Sequence, residues 1–245
     1  MILKTFHSYK DIPYTRYERD DHTKKSLLFF FHGFTSNKDE GIMGRGEALS
    51  ELGYLVIAID AYAHGARIDE AIIGGSASDK YRHLIDIIIH TARDAKDLFM
   101  NHLVTTFNIT NDTYYAFGVS MGAATALYLG SIDTKLKTII SIVGSPSLYA
   151  LYLYKQSLFG WENTPSFKEK LAYYQSIDPL IHYETLKDKH IFLGCGKFDE
   201  VVPPKFAKAL SDTLNQEKTV FKLYEVGHSS TEEMLQDAYN FLVKY

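Results

Sequence analysis

A serine between two glycines is the first group in this sequence with the surroundings of a nucleophile. Residues 118–122 read Gly-Val-Ser-Met-Gly, an apolar run at 114–117 precedes them, and an alanine-rich stretch follows. A strand, a tight turn and a helix in that order would hold Ser120 in strained backbone geometry and expose its hydroxyl. The N-terminus of the helix would favour negative charge beside that hydroxyl. This context predicts a nucleophile for covalent catalysis rather than a surface serine in an ordinary turn.

A histidine must take the proton of such a serine, because the hydroxyl by itself is a weak nucleophile. In strand–turn–helix sites of this kind, the acid and then the histidine follow the serine along the chain. Three histidines follow Ser120, namely His182, His190 and His228. His228 comes shortly after an apolar run that ends at Tyr224. His190 instead precedes its run, and His182 lies in a long interval between strands. His228 is therefore the predicted base, and a loop histidine with a capping contact is the alternative.

The histidine in turn needs a carboxylate that orients its ring. Asp199 lies in a glycine-containing loop after the apolar run at 191–193, which places it at the carboxyl edge of a parallel sheet, where ligands bind. Glu200 is chemically able as well, and we expect it to face solvent or to cap the following helix. Asp178 precedes a proline and Asp212 lies within a predicted helix, so neither is suitably placed. Asp199 is the predicted acid.

Two backbone N–H groups would be needed to stabilise negative charge on a substrate oxygen. One is predicted at Met121, the residue after the nucleophile. The other is predicted at Phe34, in the turn His-Gly-Phe-Thr-Ser at 32–36 that follows the apolar run at 27–31. The alternative for this turn is a plain strand ending.

Short apolar runs alternate with longer helix-like stretches along the chain. Strands buried on both faces are predicted at 27–31, 55–59, 114–117, 138–143 and 191–193. A strand nearer an edge is predicted at 219–224, and an antiparallel edge strand at 12–19. Helices are predicted at 39–52, 79–107, 120–129, 205–214 and 231–243. This alternation indicates βαβ units and a parallel sheet.

One interval, residues 145–188, is longer than a crossover between neighbouring strands requires. It contains three prolines and many aromatic residues, and short helices are predicted at 149–159 and 166–176. We predict that the interval forms a cap over the mouth of a pocket, with aromatic side chains as its wall. The alternative is a decorated crossover that covers nothing.

Composition excludes several classes of function. The net charge is −4 and no window concentrates lysine and arginine, so no nucleic-acid partner is expected. The N-terminal residues lack the pattern of a signal peptide, and no apolar run approaches the roughly 18 residues of a membrane span. The single cysteine, Cys195, cannot form an internal disulfide and is expected in the core. These features predict a cytoplasmic protein.

Neither a metal nor a cofactor is expected. His83, Asp86 and His90 share one face of a predicted helix, but a long helix carries a polar solvated face in any case. The glycine-rich residues 74–78 lack the preceding strand and the following Lys-Ser/Thr of a phosphate-binding loop.

Taken together, these features resemble the serine hydrolases of the α/β-hydrolase superfamily over essentially the whole chain. The resemblance lies in the turn at 32–34, the Ser120 turn, the acid loop at Asp199 and the Gly-His pair at 227–228. Residues 60–65, Asp-Ala-Tyr-Ala-His-Gly, also resemble a turn of this superfamily, and we interpret His64 there as structural.

Within the superfamily, the chain resembles small bacterial carboxylesterases related to dienelactone hydrolases and to the catalytic domains of prolyl oligopeptidases. The resemblance implies one α/β-hydrolase domain over residues 1–245, with a small helical cap insertion at about 145–188. It also implies a mostly parallel central sheet of about eight strands with helices on both faces.

The implied function is the hydrolysis of small carboxylic esters through an acyl-enzyme. Ser120, His228 and Asp199 would form the catalytic triad, and the N–H groups of Phe34 and Met121 the oxyanion hole. Hydrolysis of peptides or thioesters on the same triad remains open, as does a non-catalytic ligand-binding protein, which would be free to lose these residues. A small-molecule ester is the expected partner, and a homodimer remains open.

Overall fold

A computed structural model describes residues 1–21, 26–109 and 112–245 of the chain. In these ranges, eight strands form one sheet, in the order β1-β2-β4-β3-β5-β6-β7-β8 once numbered along the chain. The strands are β1 (Ile2–Tyr9), β2 (Ile12–Arg19), β3 (Leu27–Phe31), β4 (Leu55–Ile59), β5 (Tyr114–Val119), β6 (Leu136–Ile142), β7 (His190–Gly196) and β8 (Thr219–Tyr224). Strands β3 to β8 are parallel, while β1 and β2 are antiparallel to their neighbours. The predicted fold class is confirmed.

The N-terminal edge of the sheet differs from the prediction. Strand β2 is antiparallel as predicted, but it is not the edge strand, because β1 pairs with it from Ile2 opposite Arg19 to Tyr9 opposite Ile12. On its other side β2 pairs with β4, so that Tyr14 lies opposite Ile59. Strand β8 does lie at the opposite edge, as its partial alternation predicts.

Helices cover both faces of the sheet, which explains why β3 is apolar at every position. Leu27, Phe29 and Phe31 pack in the core cluster on one face, together with the helices at 84–98 and 121–132. Leu28 and Phe30 pack on the other face, with the helices at 45–51 and 232–244. A strand that is buried on both faces has no solvent side on which polar residues could alternate.

The helices of the described residues begin and end as follows: α1 (Arg45–Glu51), α2 (Glu70–Ile73), α3 (Ala77–Tyr81), α4 (Leu84–Leu98), α5 (Val104–Thr106), α6 (Met121–Ile132), α7 (Leu148–Phe159), α8 (Pro165–Ser176), α9 (Lys205–Thr213) and α10 (Glu232–Lys244). Short 3₁₀ turns lie at Gly65–Arg67 and Tyr183–Leu186, and a π-helical turn at Phe99–Leu103. No helix in the ranges described is long and apolar enough to cross a membrane.

Two of the predicted helices are shorter or divided. The predicted helix at 79–107 is divided, because α3 ends at Tyr81, α4 spans Leu84–Leu98 and a π-helical turn follows it. Ser76 and Asp79 form a reciprocal capping box at the start of α3. The predicted helix at 39–52 is helical only in α1. Ahead of it the Asn37 side chain accepts hydrogen bonds from the N–H groups of Asp39 and Glu40 and holds a turn.

Candidate active site

The serine turn between β5 and α6 is shaped by close backbone contacts. Ser120 adopts φ 55° and ψ −114°, a conformation that L-residues rarely adopt. A Cβ atom at Gly118 would lie 2.1 Å from the Gly122 carbonyl oxygen, and one at Gly122 would lie 2.1 Å from the Phe31 carbonyl oxygen. Both glycines are therefore required by space. They let the backbone of the turn pack against itself and against the end of β3.

The structure brings Ser120, His228 and Asp199 into contact. The distance from Ser120 Oγ to His228 Nε2 is 2.7 Å, and that from His228 Nδ1 to Asp199 Oδ2 is also 2.7 Å. A carboxylate accepts a proton at Nδ1, so Nε2 is left as the acceptor for the serine hydroxyl. This is the arrangement in which a histidine can remove the serine proton.

Asp199 is fixed by hydrogen bonds to both of its carboxylate oxygens. Oδ1 accepts from the backbone N–H groups of Val201 (2.9 Å) and Val202 (2.8 Å), and Oδ2 faces His228. The residue is only 5% exposed. The neighbouring Glu200 is exposed, in agreement with the expectation that it faces solvent.

Two loops that carry the acid and the histidine are packed directly against each other. The Phe198 N–H donates to the Val226 carbonyl at 2.9 Å. A Cβ atom at Gly196 would lie 2.0 Å from the Gly227 carbonyl oxygen, so only glycine allows this approach. The distance between Asp199 and His228 is thus set by backbone contacts on both sides of the pair.

Phe34 and Met121, the predicted N–H donors, line the same cleft as Ser120. Met121 is the first residue of α6, where N–H groups have no acceptor within the helix. Gly33 brings the Phe34 turn close to the serine turn, since a Cβ atom there would lie 3.7 Å from the Val119 carbonyl oxygen. Both N–H groups therefore come from segments that meet beside the hydroxyl.

A buried polar cluster of His32, Asp60 and His64 stabilises the turn that carries Phe34. His64 Nε2 accepts the Thr35 N–H at 3.1 Å, and His32 Nε2 accepts the Ala61 N–H at 3.0 Å. Asp60 accepts the N–H groups of Lys38 (2.8 Å) and Ala66 (3.0 Å). These contacts agree with the interpretation of the His64 turn as structural.

Burial lowers the pKa of both histidines in this cluster. The pKa of His32 falls to about 4, and that of His64 also falls, because their rings are removed from water. Both rings are therefore neutral at physiological pH. A neutral ring with one protonated nitrogen fits the single acceptor and single donor that each position requires.

Arg45 is a further contact near the base that sequence reasoning missed. Its guanidinium donates to the carbonyls of Gly41 (3.1 Å) and Ile42 (3.4 Å) and to Ser230 Oγ (3.1 Å). Ser230 lies two residues after His228, so the loop of the base is tied to the segment before α1. Burial lowers the pKa of Arg45.

The cleft beside Ser120 is narrow and mostly apolar. It has about 310 Å³ of empty space including its open mouth. The interval at 145–188 contributes Ser145, Leu151 and Lys155 to its lining. The remaining lining residues are Phe34, Tyr81, Leu84, Ser120, Met121, Ala124, Val201 and Val202.

Helices α7 and α8, close to the predicted 149–159 and 166–176, are joined by an aromatic cluster. The Tyr152 ring contacts Trp161, Phe167 and Tyr174, with centroid distances of 5.4, 5.0 and 4.9 Å. The Tyr174 hydroxyl donates to Asp86 of α4 at 2.7 Å, which anchors α8 to α4. Most of the aromatic residues thus pack among themselves and leave few to line the cleft.

The alternative residues of the sequence analysis have other roles. Asp86 accepts from Lys170 and Tyr174, and His90 stacks on Tyr62 at 4.7 Å. Over the described ranges, no group of three or more His, Cys, Asp or Glu side chains is arranged to hold a metal ion. Cys195 is buried in the core, and burial raises its pKa to about 12.

Comparisons with known proteins relate the chain to named esterases. The sequence profile of the prolyl oligopeptidase family matches residues 90–245. Esterase YjfP of Escherichia coli (strain K12) is 27% identical over 232 residues, which cover 89% of this chain and 88% of that protein. Putative esterase YitV of Bacillus subtilis (strain 168) is 25% identical over 203 residues, which cover 80% and 77%.

Two solved structures share the fold at lower identity. TT1662 from Thermus thermophilus superposes with a TM-score of 0.76 at 19% identity, covering 99% of this chain and 97% of that one. Acetyl xylan esterase 1 from Thermoanaerobacterium sp. JW/SL YS485 gives a TM-score of 0.69 at 17% identity, covering 100% and 87%.

Proposed function

The chain belongs to the prolyl oligopeptidase family, within the α/β-hydrolase superfamily that its sequence resembles, and from that premise we propose that it hydrolyses small carboxylic esters. The observation that carries the proposal is the pair of 2.7 Å contacts that link Ser120 Oγ to His228 and His228 to Asp199. The esterase names of the curated relatives support an ester as the substrate and a carboxylesterase-type hydrolase as the enzyme.

In the proposed reaction, Ser120 Oγ attacks the ester carbonyl while His228 Nε2 takes its proton. Asp199 stabilises the imidazolium that forms. The N–H groups of Phe34 and Met121 donate to the oxygen of the tetrahedral intermediate, each contributing about 3 kcal/mol. His228 then gives its proton to the leaving alkoxide, and the acyl group stays on Ser120.

Water resolves the acyl-enzyme by the same route. His228 takes a proton from the water molecule as its oxygen attacks the acyl carbonyl. Collapse of the second intermediate returns that proton to Ser120 Oγ and releases the carboxylic acid. The ester and one water molecule are consumed, and Ser120, His228 and Asp199 return to their starting states.

We also propose that the interval at 145–188 acts as a cap that limits substrate size. Support comes from Leu151 and Lys155 of α7, which line the same narrow cleft as Ser120. A long acyl chain would have to displace Leu151 or leave through the open mouth. Short acyl groups fit without either movement.

The test is a panel of 4-nitrophenyl esters of increasing acyl length, with aminoacyl 4-nitroanilides and thioesters alongside. We expect kcat/KM to be highest for acetyl to butyryl esters and the anilides to be hydrolysed far more slowly. Leu151→Ala should shift the optimum towards longer chains, whereas Leu158→Ala, an exposed position of the same helix, should not. Anilides cleaved as fast as esters would replace the proposal by peptide hydrolysis.

A serine-reactive phosphonate gives an independent readout of the nucleophile. The modified peptide, identified by mass spectrometry, should contain Ser120. Absence of both turnover and labelling would favour a non-catalytic ligand-binding protein of this fold.

A further inference from the structure

Lys155 is a buried cation on the wall of the cleft that the proposed reaction does not use. It lies on α7, is 2% exposed, and lines the cleft together with Ser120. Its Nζ donates to the Val201 carbonyl at 2.8 Å and lies 4.4 Å from the centroid of the Tyr81 ring. Val201 and Tyr81 also line the cleft, so two of the contacts of the ammonium group are with lining residues.

The ammonium group lacks the partners that a buried charge needs. The ammonium group has three N–H donors. Its contacts are one carbonyl, that of Val201, and the faces of the Tyr81 and Tyr154 rings. Within residues 1–21, 26–109 and 112–245, no carboxylate forms an ion pair with it. Asp199 attracts it at longer range, but its oxygens are already used by His228 and two N–H groups.

A second buried lysine shows what a purely structural one looks like in this molecule. Lys189 is 3% exposed, and its Nζ donates to the carbonyls of Asp133 (2.9 Å), directly after α6, and of Leu136 (2.6 Å), the first residue of β6. Cations are favoured at such a position because helix carbonyls are left unpaired there. Burial lowers the pKa of both lysines to about 8. Lys155 has fewer acceptors, and it lines the cleft beside Ser120.

We propose that Lys155 determines substrate specificity by binding a carboxylate group that the ester substrate carries. This inference rests on the proposed ester hydrolysis at Ser120. A substrate carboxylate would supply the missing ion-pair partner in a cleft whose other walls are largely apolar. Neutral esters of the same size would leave the ammonium group in its present state and gain no such contact.

The experiment compares matched substrates that differ in charge alone. On the acyl side the pair is 4-nitrophenyl hemisuccinate and its terminal amide, each corrected for its rate without enzyme because the free carboxylate can attack its own ester carbonyl. On the alcohol side the pair is 4-acetoxybenzoate and 4-acetoxybenzamide. We expect the carboxylate member of at least one pair to be preferred in kcat/KM. Lys155→Met should lower that preference by about 10- to 100-fold, the effect of losing one charged hydrogen bond. Lys155→Arg should restore part of it.

Lys189→Met is the matched control, because it removes an equally buried ammonium far from the cleft and should leave the preference unchanged. If the wild-type enzyme prefers neither carboxylate, or if Lys155→Met changes both members of each pair by the same factor, the inference is overturned. An equal loss for both members would indicate that Lys155 only steadies the Val201 carbonyl beside the acid loop.

Calorimetric binding separates this inference from the proposed function. Ser120→Ala should bind 4-acetoxybenzoate more tightly than 4-acetoxybenzamide, and the added change Lys155→Met should abolish the difference. That result would support carboxylate recognition even if no ester in the panel were hydrolysed. Equal affinity for both compounds, with turnover of neutral esters intact in the wild type, would overturn the inference and leave the proposed function standing.

Discussion

His228 and His32 are both held by short hydrogen bonds near the cleft, yet their ring nitrogens have different partners. His32 uses Nδ1 for the Gly33 carbonyl (2.7 Å) and Nε2 for the Ala61 N–H (3.0 Å), and it is 1% exposed. His228 faces a carboxylate at Nδ1 and a hydroxyl at Nε2, and its side chain is 22% exposed. Backbone groups neither give nor take a proton at physiological pH, whereas a hydroxyl beside a base can lose one.

A histidine and an aspartate that lie close together do not by themselves form a catalytic pair. The cluster of His32, His64 and Asp60 contains the same residue types as the site at His228. Its polar atoms are used by backbone N–H and carbonyl groups, so it holds the Phe34 turn in place. The hydrogen-bond partners of a histidine, rather than the residue types around it, decide whether it holds a backbone turn in place or transfers a proton.

Removal of the nucleophile is expected to have the largest effect. Ser120→Ala should lower kcat for 4-nitrophenyl acetate on the order of 10⁶-fold, because the triad acts as a unit. The melting temperature should stay close to that of the wild type. Ser145→Ala is the control within the same cleft, since the Ser145 hydroxyl donates to the Ser147 carbonyl rather than to a base. Retention of more than a tenth of the activity by Ser120→Ala would reassign the nucleophile.

The next largest effect is expected at the acid. Asp199→Asn should reduce kcat by roughly 10⁴-fold, because an amide would favour the wrong imidazole tautomer. Glu200→Gln, one residue further and exposed, should change kcat little. A larger loss of kcat in Glu200→Gln than in Asp199→Asn, measured in parallel, would make Glu200 the acid. The contrast drawn between His228 and His32 would then no longer rest on Asp199.

A smaller effect is expected from the buried cluster. His64→Leu removes the acceptor of the Thr35 N–H and should loosen the turn that carries Phe34. We expect kcat to fall by about tenfold with little change in KM, and stability to fall by about 1–3 kcal/mol. His64→Gln, which keeps an acceptor, should recover part of both, and the exposed His182→Gln should alter neither. A loss as large as that of Asp199→Asn would mean that His64 takes part in the chemistry.

Protonation of His32 is expected to change activity least among these cases, but to lower the stability of the folded protein clearly. Its pKa is about 4 in the folded protein and about 6.5 when unfolded, so the unfolded chain binds more protons between these values. Stability should therefore be complete above pH 6.5 and decrease as the pH falls towards 4, with His32 contributing about 3 kcal/mol to the loss.

Urea unfolding of the wild type and of His32→Gln between pH 4 and pH 7 measures this contribution. The variant should be less stable at pH 7 but should show a flatter decrease on acidification. Parallel curves for the two proteins would indicate that His32 is protonated in the folded state.

Local patterns were sufficient for the parts of the molecule whose geometry depends on adjacent residues. The Gly-x-Ser-x-Gly turn, the strand before it and the helix after it all follow from about ten consecutive positions. The apolar runs predict the parallel strands because burial on both faces leaves each run without polar positions. The helices α7 and α8 were also predicted within one residue at each end.

Pairing between distant segments was not accessible in the same way. Strand β1 was missed because its residues are only half-buried and it gains its stability from pairing with β2. Aromatic side chains of the interval at 145–188 were expected to line a pocket, but Tyr152 packs against Trp161, Phe167 and Tyr174 instead. In each case the structure of the segment depends on the distant part of the chain that packs against it. The residues of the segment alone do not show which part that is.

The sequence by itself determined the fold class, the position of the strained serine and the order in which an acid and a histidine follow it. Each of these rests on spacing along the chain, where backbone sterics and hydrophobic periodicity act locally. Tertiary structure alone decided that Lys155, 35 positions after Ser120, would lie in the same cleft with one carbonyl for its three donors. Burial and charge pairing are properties of the assembled surfaces, because a side chain loses its water only when distant segments close over it.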